Sequence, residues 1–370
     1  MDGLPALRKL CINIKLINGE TMKKLFILIF IFSSAISSIM AQIQWNNYDF
    51  IPGDVIIFED DLSSERNGEF PSKWDITNGT IENITFDGAN VIAFFKCNVN
   101  GGGGIVPLLK NTKEDYLPEE FTIEFDAYFE KLGSYYHVIL ADMKNQIKLD
   151  KDYKSANKWI SFEQNSSKTK EFSVNYYPGT TAITQNFIPG WRHIAISFNK
   201  RALKTYIDDS RISNIPNLGF NPTGITIGFH NPTQGKTGYI KNIRIAKGAV
   251  PLYDKFMTDG KIVTTGIKFD VNKSSIKPES MGVINEIVTL LKDKSNINFS
   301  IEGHTDTDGD TKANQALSEA RANSVKAKMI ELGISTSRLK SKGFGESKPI
   351  ANNNSPEGKA NNRRVEFIKF

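Results

Sequence analysis

Residues 121–129 read FTIEFDAYF, with Phe121, Ile123, Phe125, Ala127 and Phe129 on one parity and Thr122, Glu124, Asp126 and Tyr128 on the other. A period of two with one apolar face predicts a half-buried β-strand. WRHIAISFN (191–199) and KTYIDD (204–209) read as strand, turn, strand, and GITIGF (224–229) and GYIKNIRIA (238–246) as two more. Turn formers interrupt these runs at 98–104, Pro178-Gly179, Pro189-Gly190 and Asn231-Pro232. Many short strands so punctuated predict an antiparallel β-sandwich over about 43–248.

After a short tether at 249–262, carrying Pro251, Asp254 and Gly260, the period changes. Residues 264–269 read as a strand. Pro278 suits a first helical turn, and Met281, Ile284, Val288 and Leu291 form a helical stripe behind it. Ile297, Phe299 and Ile301 alternate as a strand. A long helix is predicted from Thr311 or Lys312 to Gly333, with Ala313, Ala316, Leu317, Ala320, Val325, Ala327 and Leu332 as its apolar arc and Arg321 inside that arc. Further strands fall near 339–343 and 364–368. Alternating elements of this kind predict an α/β domain over 263–370, with helices on one face of a mixed sheet. The fold class is thus multidomain, a β-sandwich followed by an α/β domain.

The start of the chain adds an address. Residues 22–41, MKKLFILIFIFSSAISSIMA, carry a basic n-region at Lys23 and Lys24, an apolar run from Leu25 to Phe32, and small residues up to Ala41. This is the pattern of a secretory signal peptide cleaved after Ala41. Residues 1–21 resemble nothing, and translation is expected to begin at Met22. Cys11 lies in that leader and the cleavage site carries no cysteine, so Cys97 alone remains, with no intramolecular disulfide and no diacylated anchor. No later stretch is apolar for the ~18 residues a membrane helix needs. With a net charge of +5 and no basic run, the composition does not call for nucleic acid.

The chemistry concentrates in GHTDTDGDTKANQALSEAR, 303–321. Arg321 on the inward side of a helix needs an anion, and Asp306, on the loop before that helix, faces the same region. The two could hold the carboxylate and ammonium of a zwitterion, or they could pair with each other. Asp306, Asp308 and Asp310 also invite calcium, but an EF-hand loop wants Gly where Thr311 stands and Glu where Leu317 stands. Asp310 fits better as a helix cap. Of the neighbours Arg363 and Arg364, opposite strand faces let one reach a pocket. In the sandwich, Glu124, Asp126 and Glu130 share a parity, which raises a glycosidase carboxylate pair; a solvated sheet face is the plainer reading. His137, His193 and His230 lack metal-site spacing, and Gly101–Gly104 lies in a loop, not between strand and helix. No cofactor is implied.

FDVNKSSIKPE (269–279), IEGHTDTDGD (301–310), NQALSEARANSVKAKMIELGI (314–334), RLKSKGFGESKPIANN (338–353) and NRRVEF (362–367) together resemble the OmpA-like peptidoglycan-binding domain. The resemblance implies that Asp306 holds the amino group and Arg321 the carboxylate of diaminopimelate in the peptide stem. It implies that Asp270, Asn272, Thr305, Asn314 and Arg363 line or support the pocket. It implies an exported protein in the periplasm, associated with the outer membrane and the wall. The sandwich is similar, more weakly, to laminin-G-like or concanavalin-like jelly rolls, through WRHIAISF, KTYIDD and GYIKNIRIAKGA. That likeness implies a glycan or an outer-membrane protein as its partner. Some jelly rolls are glycosidases, but their second acid follows two or three residues after the position of Asp126, whereas Glu130 stands four away. The expectation is a non-enzymatic wall anchor. The alternative is a glycan-active enzyme with the sandwich catalytic and the last domain its anchor.

Overall fold

The computed structural model describes residues 48–97, 104–109, 116–130, 135–141, 158–163, 166–170, 189–230, 236–248 and 252–370. The expected signal peptide and leader, and the turn signals at 98–103, 178–179 and 231–232, lie outside the described residues. Among the described residues, no helix is long and apolar enough to cross a membrane.

Among the described residues, fourteen strands precede residue 248: β1 (Val55–Asp60), β2 (Trp74–Asn78), β3 (Thr80–Phe86), β4 (Ala89–Lys96), β5 (Gly104–Pro107), β6 (Glu120–Phe129) and β7 (Tyr135–Ala141), then β8 (Lys158–Glu163), β9 (Ser166–Lys170), β10 (Gly190–Asn199), β11 (Ala202–Ile207), β12 (Ser210–Ile215), β13 (Gly224–His230) and β14 (Gly238–Lys247). They form two antiparallel sheets. One runs β12-β11-β10-β6-β14-β4-β3, with β1 also on β14; the other runs β2-β5-β13-β7-β8-β9. Phe121, Ile123, Phe125, Ala127 and Phe129 are fully buried, as the alternation predicts, and share one core with Tyr136, Val138 and Leu140 of β7 and Ile225 and Ile227 of β13.

The remaining elements are helix α1 (Leu252–Asp259), β15 (Lys261–Thr264), α2 (Met281–Asp293), β16 (Phe299–Gly303), α3 (Thr311–Glu331), β17 (Leu339–Gly343), α4 (Pro356–Asn362) and β18 (Val365–Lys369). The four strands make a mixed sheet in the order β15-β18-β16-β17, with β16 and β17 parallel and the other pairs antiparallel. Two local expectations need correction. The tether is mostly the helix α1, held because Leu252 and Phe256 are buried, Phe256 edge-on to Phe299 at 5.3 Å. The first strand ends at Thr264, and only Phe269 makes a bridge beyond it, to Ile276.

Helix α3 departs from its expected arc. Ala313, Ala316 and Ala327 are exposed, and the buried stripe is Asn314, Ser318, Ala322, Val325 and Met329. The reason is proximity. A Cβ on Gly303 would lie 2.3 Å from the Ser318 carbonyl oxygen, and one on Gly343 would lie 2.5 Å from its hydroxyl. The helix rests on the backbone of β16 and β17, so its contact face must be small, and Ser318 satisfies the Gly345 N–H at 2.8 Å. Asp310 caps α3 as expected, accepting from the Ala313 N–H at 3.0 Å.

The two β-sheets and the α/β part meet along a polar seam. Glu124 is 1% exposed, held by Arg244 at 2.8 Å and by Lys268 of the last domain at 2.6 Å. Arg244 also donates to Thr265 and to the Gly53 carbonyl. Helix α2 meets the Phe50 carbonyl so closely at Gly282 that a Cβ there would sit 1.8 Å from the oxygen. The solvated face expected for Glu124 is therefore covered, because Lys268 of the second domain reaches over it, a contact that the alternation of β6 does not reveal.

Candidate ligand-binding site

Strand β16 delivers its carboxyl end to a loop that begins with His304, Thr305 and Asp306, all buried. The loop is tied at several points. The His304 N–H donates to the Arg364 carbonyl and the Thr305 N–H to the Gly345 carbonyl. Asn314 donates from its amide to the Asp306 carbonyl at 3.3 Å, the Asp308 carbonyl at 3.0 Å and the Glu346 carboxylate at 2.7 Å. A buried amide so engaged supports the loop rather than facing a ligand.

Asp306 accepts at Oδ1 from the Asp308 N–H and at Oδ2 from Arg363 Nη1 at 2.6 Å. Its ion pair is thus with Arg363, not with Arg321. Arg321 Nε donates to the Lys273 carbonyl at 3.0 Å, and its guanidinium lies 5.0 Å from the centre of the Phe269 ring. Among the described residues it has no carboxylate within ion-pair distance. Burial lowers its pKa from the ordinary arginine value, and the neighbouring Arg363 lowers it further, while the Asp306 charge opposes both. Burial and a neighbouring cation both disfavour the charged form of this guanidinium.

The other expected residues take lesser places. Asp270 accepts from the Ser275 hydroxyl at 2.9 Å and closes a turn in which the Lys273 N–H donates to its carbonyl. Asn272 supplies that turn's left-handed residue, φ 55°, and is exposed. Both shape the loop that presents the Lys273 carbonyl to Arg321. The Thr305 hydroxyl is buried with no hydrogen-bond partner among the described residues. Arg363 and Arg364 precede β18 rather than sit on it, Arg363 as the C-cap of α4. Arg364 is buried and paired with Glu366 at 2.6 Å. Asp308 pairs with Lys359 at 2.6 Å and Asp310 caps α3, so the three loop acids point to separate partners.

One residue that sequence reasoning did not single out belongs here. Glu59 of β1 accepts from Arg363 Nη2 at 2.7 Å. Burial works against the charge of Arg363, but Glu59 and Asp306 outweigh it and raise its pKa. Arg321, Arg363 and His304, together with Glu59, Asp61 and Asp126, line a cavity of about 220 Å³. Burial, helped by Arg364, pushes His304 down to about 4, so its imidazole is neutral near neutral pH.

Glu124 and Asp126 do not form an open catalytic pair. Arg244 and Lys268 close on Glu124, Asp126 accepts from Asn242 at 2.6 Å and meets His193 at 2.9 Å, and Glu130 is exposed at the strand end.

The fold defines a small mixed-sheet domain, and Arg321, Arg363 and Arg364 of that domain line the cavity it shares with the β part. Residues 268–363 match the model of the OmpA family, so the last third of the chain is an OmpA-family domain. The chain is 39% identical to outer membrane porin F of Pseudomonas fluorescens over 104 residues, 28% of this chain and 32% of the porin. It is 33% identical to the probable lipoprotein YiaD of Escherichia coli over 144 residues, 36% of this chain and 64% of that protein. It thus spans about a third of the porin and under two thirds of the lipoprotein. A solved structure of the peptidoglycan-associated lipoprotein from Burkholderia pseudomallei aligns with a TM-score of 0.27 at 25% identity, over 28% of this chain and 88% of that one.

Proposed function

We propose that this protein anchors itself non-covalently to peptidoglycan through the pocket of its OmpA-family domain, as an exported, periplasmic protein associated with the outer membrane. The observation that carries the reading is Arg321, a half-buried guanidinium in a cavity with only main-chain acceptors and a ring as described partners. An anionic group of the peptide stem docks there through paired charge-assisted hydrogen bonds, each contributing about 1.5–3 kcal/mol. Asp306 stands close enough to act on Arg321 electrostatically and receives the ammonium of the same stem residue, giving up part of its hold on Arg363. Diaminopimelate, whose free end carries both charges, fits that pair. Repeated stems along the polymer lengthen residence by avidity. No chemical step is required of the protein, and the jelly-roll-like β part serves as the module that the anchor holds at the wall.

The test is sedimentation of the full chain with purified diaminopimelate-type peptidoglycan, beside an Arg321→Ala variant and an Asp306→Ala, Arg321→Ala double variant of verified fold. Co-sedimentation that drops at least about ten-fold in both variants supports the site, since each lost charge-assisted contact exceeds the ~1.4 kcal/mol of a ten-fold change. Equal binding by all three would move the wall contact elsewhere.

A further inference from the structure

The pocket is not built by the OmpA-family domain alone. β1 lies against β14 with Glu59 opposite Arg244, and its alternation sends Ile56, Phe58 and Asp60 into buried positions and Glu59 toward the cavity. The edge of β1 is clamped to the last domain. Asn361 of α4 accepts from the Ile56 N–H at 3.0 Å and donates to the Ile56 carbonyl at 3.2 Å, and Ile56 buries with Ala246 and Ala360 in a small apolar cluster. Glu59 is therefore placed with the rigidity of a site residue.

Most other charges along the cavity have partners of their own. Arg244 holds Glu124, as does Lys268; Asp126 holds His193; Arg364 holds Glu366. What remains facing the space is Arg321 and Arg363 against Glu59 and Asp61, and Arg363 is shared between Glu59 at Nη2 and Asp306, which is outside the cavity lining, at Nη1. Without Glu59, Arg363 would keep one of its two carboxylates and the pocket would carry one more positive charge.

We propose that Glu59, supplied by the β part, is a specificity-determining residue of the wall-ligand pocket. It saturates Arg363 and leaves Arg321 as the sole guanidinium open to an anion, so the pocket prefers a net-neutral ammonium-carboxylate end over a purely anionic one. Discrimination arises as much from the charge that repels the wrong ligand as from the contacts that hold the right one. This inference rests on the wall-binding reading above.

The experiment titrates the full chain with two soluble probes: an alanyl-γ-glutamyl-diaminopimelate peptide with its side-chain amino group free, and the same peptide with that amino group acetylated. Wild type is expected to favour the free-amino peptide. Glu59→Gln is expected to narrow that preference by roughly five-fold, the effect of one charge several Å away in a partly solvated cavity. Glu59→Asp keeps the charge on β1 while shortening its reach to Arg363 and is expected to retain most of the wild-type ratio. An unchanged ratio in Glu59→Gln, with both peptides still bound, would make Glu59 a mere tie between domains and overturn the proposal. So would an equal shift in Glu59→Asp, which would assign the effect to the lost side-chain tie and not to the charge. Failure of the wild type to bind either peptide would instead bring down the wall-binding reading, and this one with it.

Discussion

At the scale of single residues, a charge is defined by what encloses it. His193 lies 2.9 Å from Asp126 and 3.5 Å from Glu124. Burial would lower its pKa, but the two carboxylates prevail and raise it to about 10, and they in turn are held below the ordinary carboxylate range. His193 is therefore protonated in the folded chain at neutral pH. Because its folded pKa lies above the unfolded value of 6.5, its contribution to stability is complete below about 6.5 and is lost as pH rises toward about 10. Urea midpoints at pH 6, 8 and 10 should fall across that window. In His193→Gln the midpoint should start lower and stay flatter; an equally steep decline would assign the alkaline loss to other groups. The wider lesson is that residue type was legible in the sequence and partner was not. Asp306 and Arg321 were visible as charged residues that could meet, yet Asp306 is claimed by Arg363, because α4 brings that guanidinium in from 57 residues away.

At the scale of elements, the apolar strands were the easiest to read. β6 alternates because one face is core, and each inward residue predicted from that alternation is buried. Helix α3 was harder. Its buried stripe opens with the small or polar Asn314, Ser318 and Ala322 and only then reaches Val325 and Met329, so a reading that counts hydrophobic positions places Val325 correctly but turns the first half of the helix away from its contact face. Its start was legible because capping is local chemistry: Asp310 accepts the Ala313 N–H. Asp310→Ala should cost about 1 kcal/mol of stability, measurable as a lowered thermal midpoint of the full chain. An unchanged midpoint would show that the cap is replaced by water without loss.

At the scale of the whole molecule, the seam between the sheets and the last domain organises the site. Glu124 and Arg244 are 1% and 3% exposed in their side chains, and Lys268 reaches across to complete the group. Removing one member of a buried ion cluster leaves an uncompensated charge, which typically costs about 3–5 kcal/mol. Glu124→Gln, which strands Arg244, should therefore lower the urea midpoint of the full chain far more than a surface substitution does. It should also lower wall binding, since the cavity is lined by residues of both parts and opens when the seam does; a stable variant with full binding would show that the two parts meet without needing this cluster.

By itself the sequence determined the strands β6, β10, β11, β13 and β14, the mixed α/β character of the last third, and the loop and helix that carry Asp306 and Arg321. These follow from periodicity, capping and turn chemistry, which act over a few neighbouring residues. Only the tertiary structure decided that Glu124 is buried, that Arg363 stands between Asp306 and Glu59, and that the pocket has walls from both parts of the chain. Those contacts join residues as far apart as 304 positions in the chain, between Glu59 and Arg363. No local pattern encodes the meeting of two folded surfaces; it is set by shape and charge that exist only once each has formed.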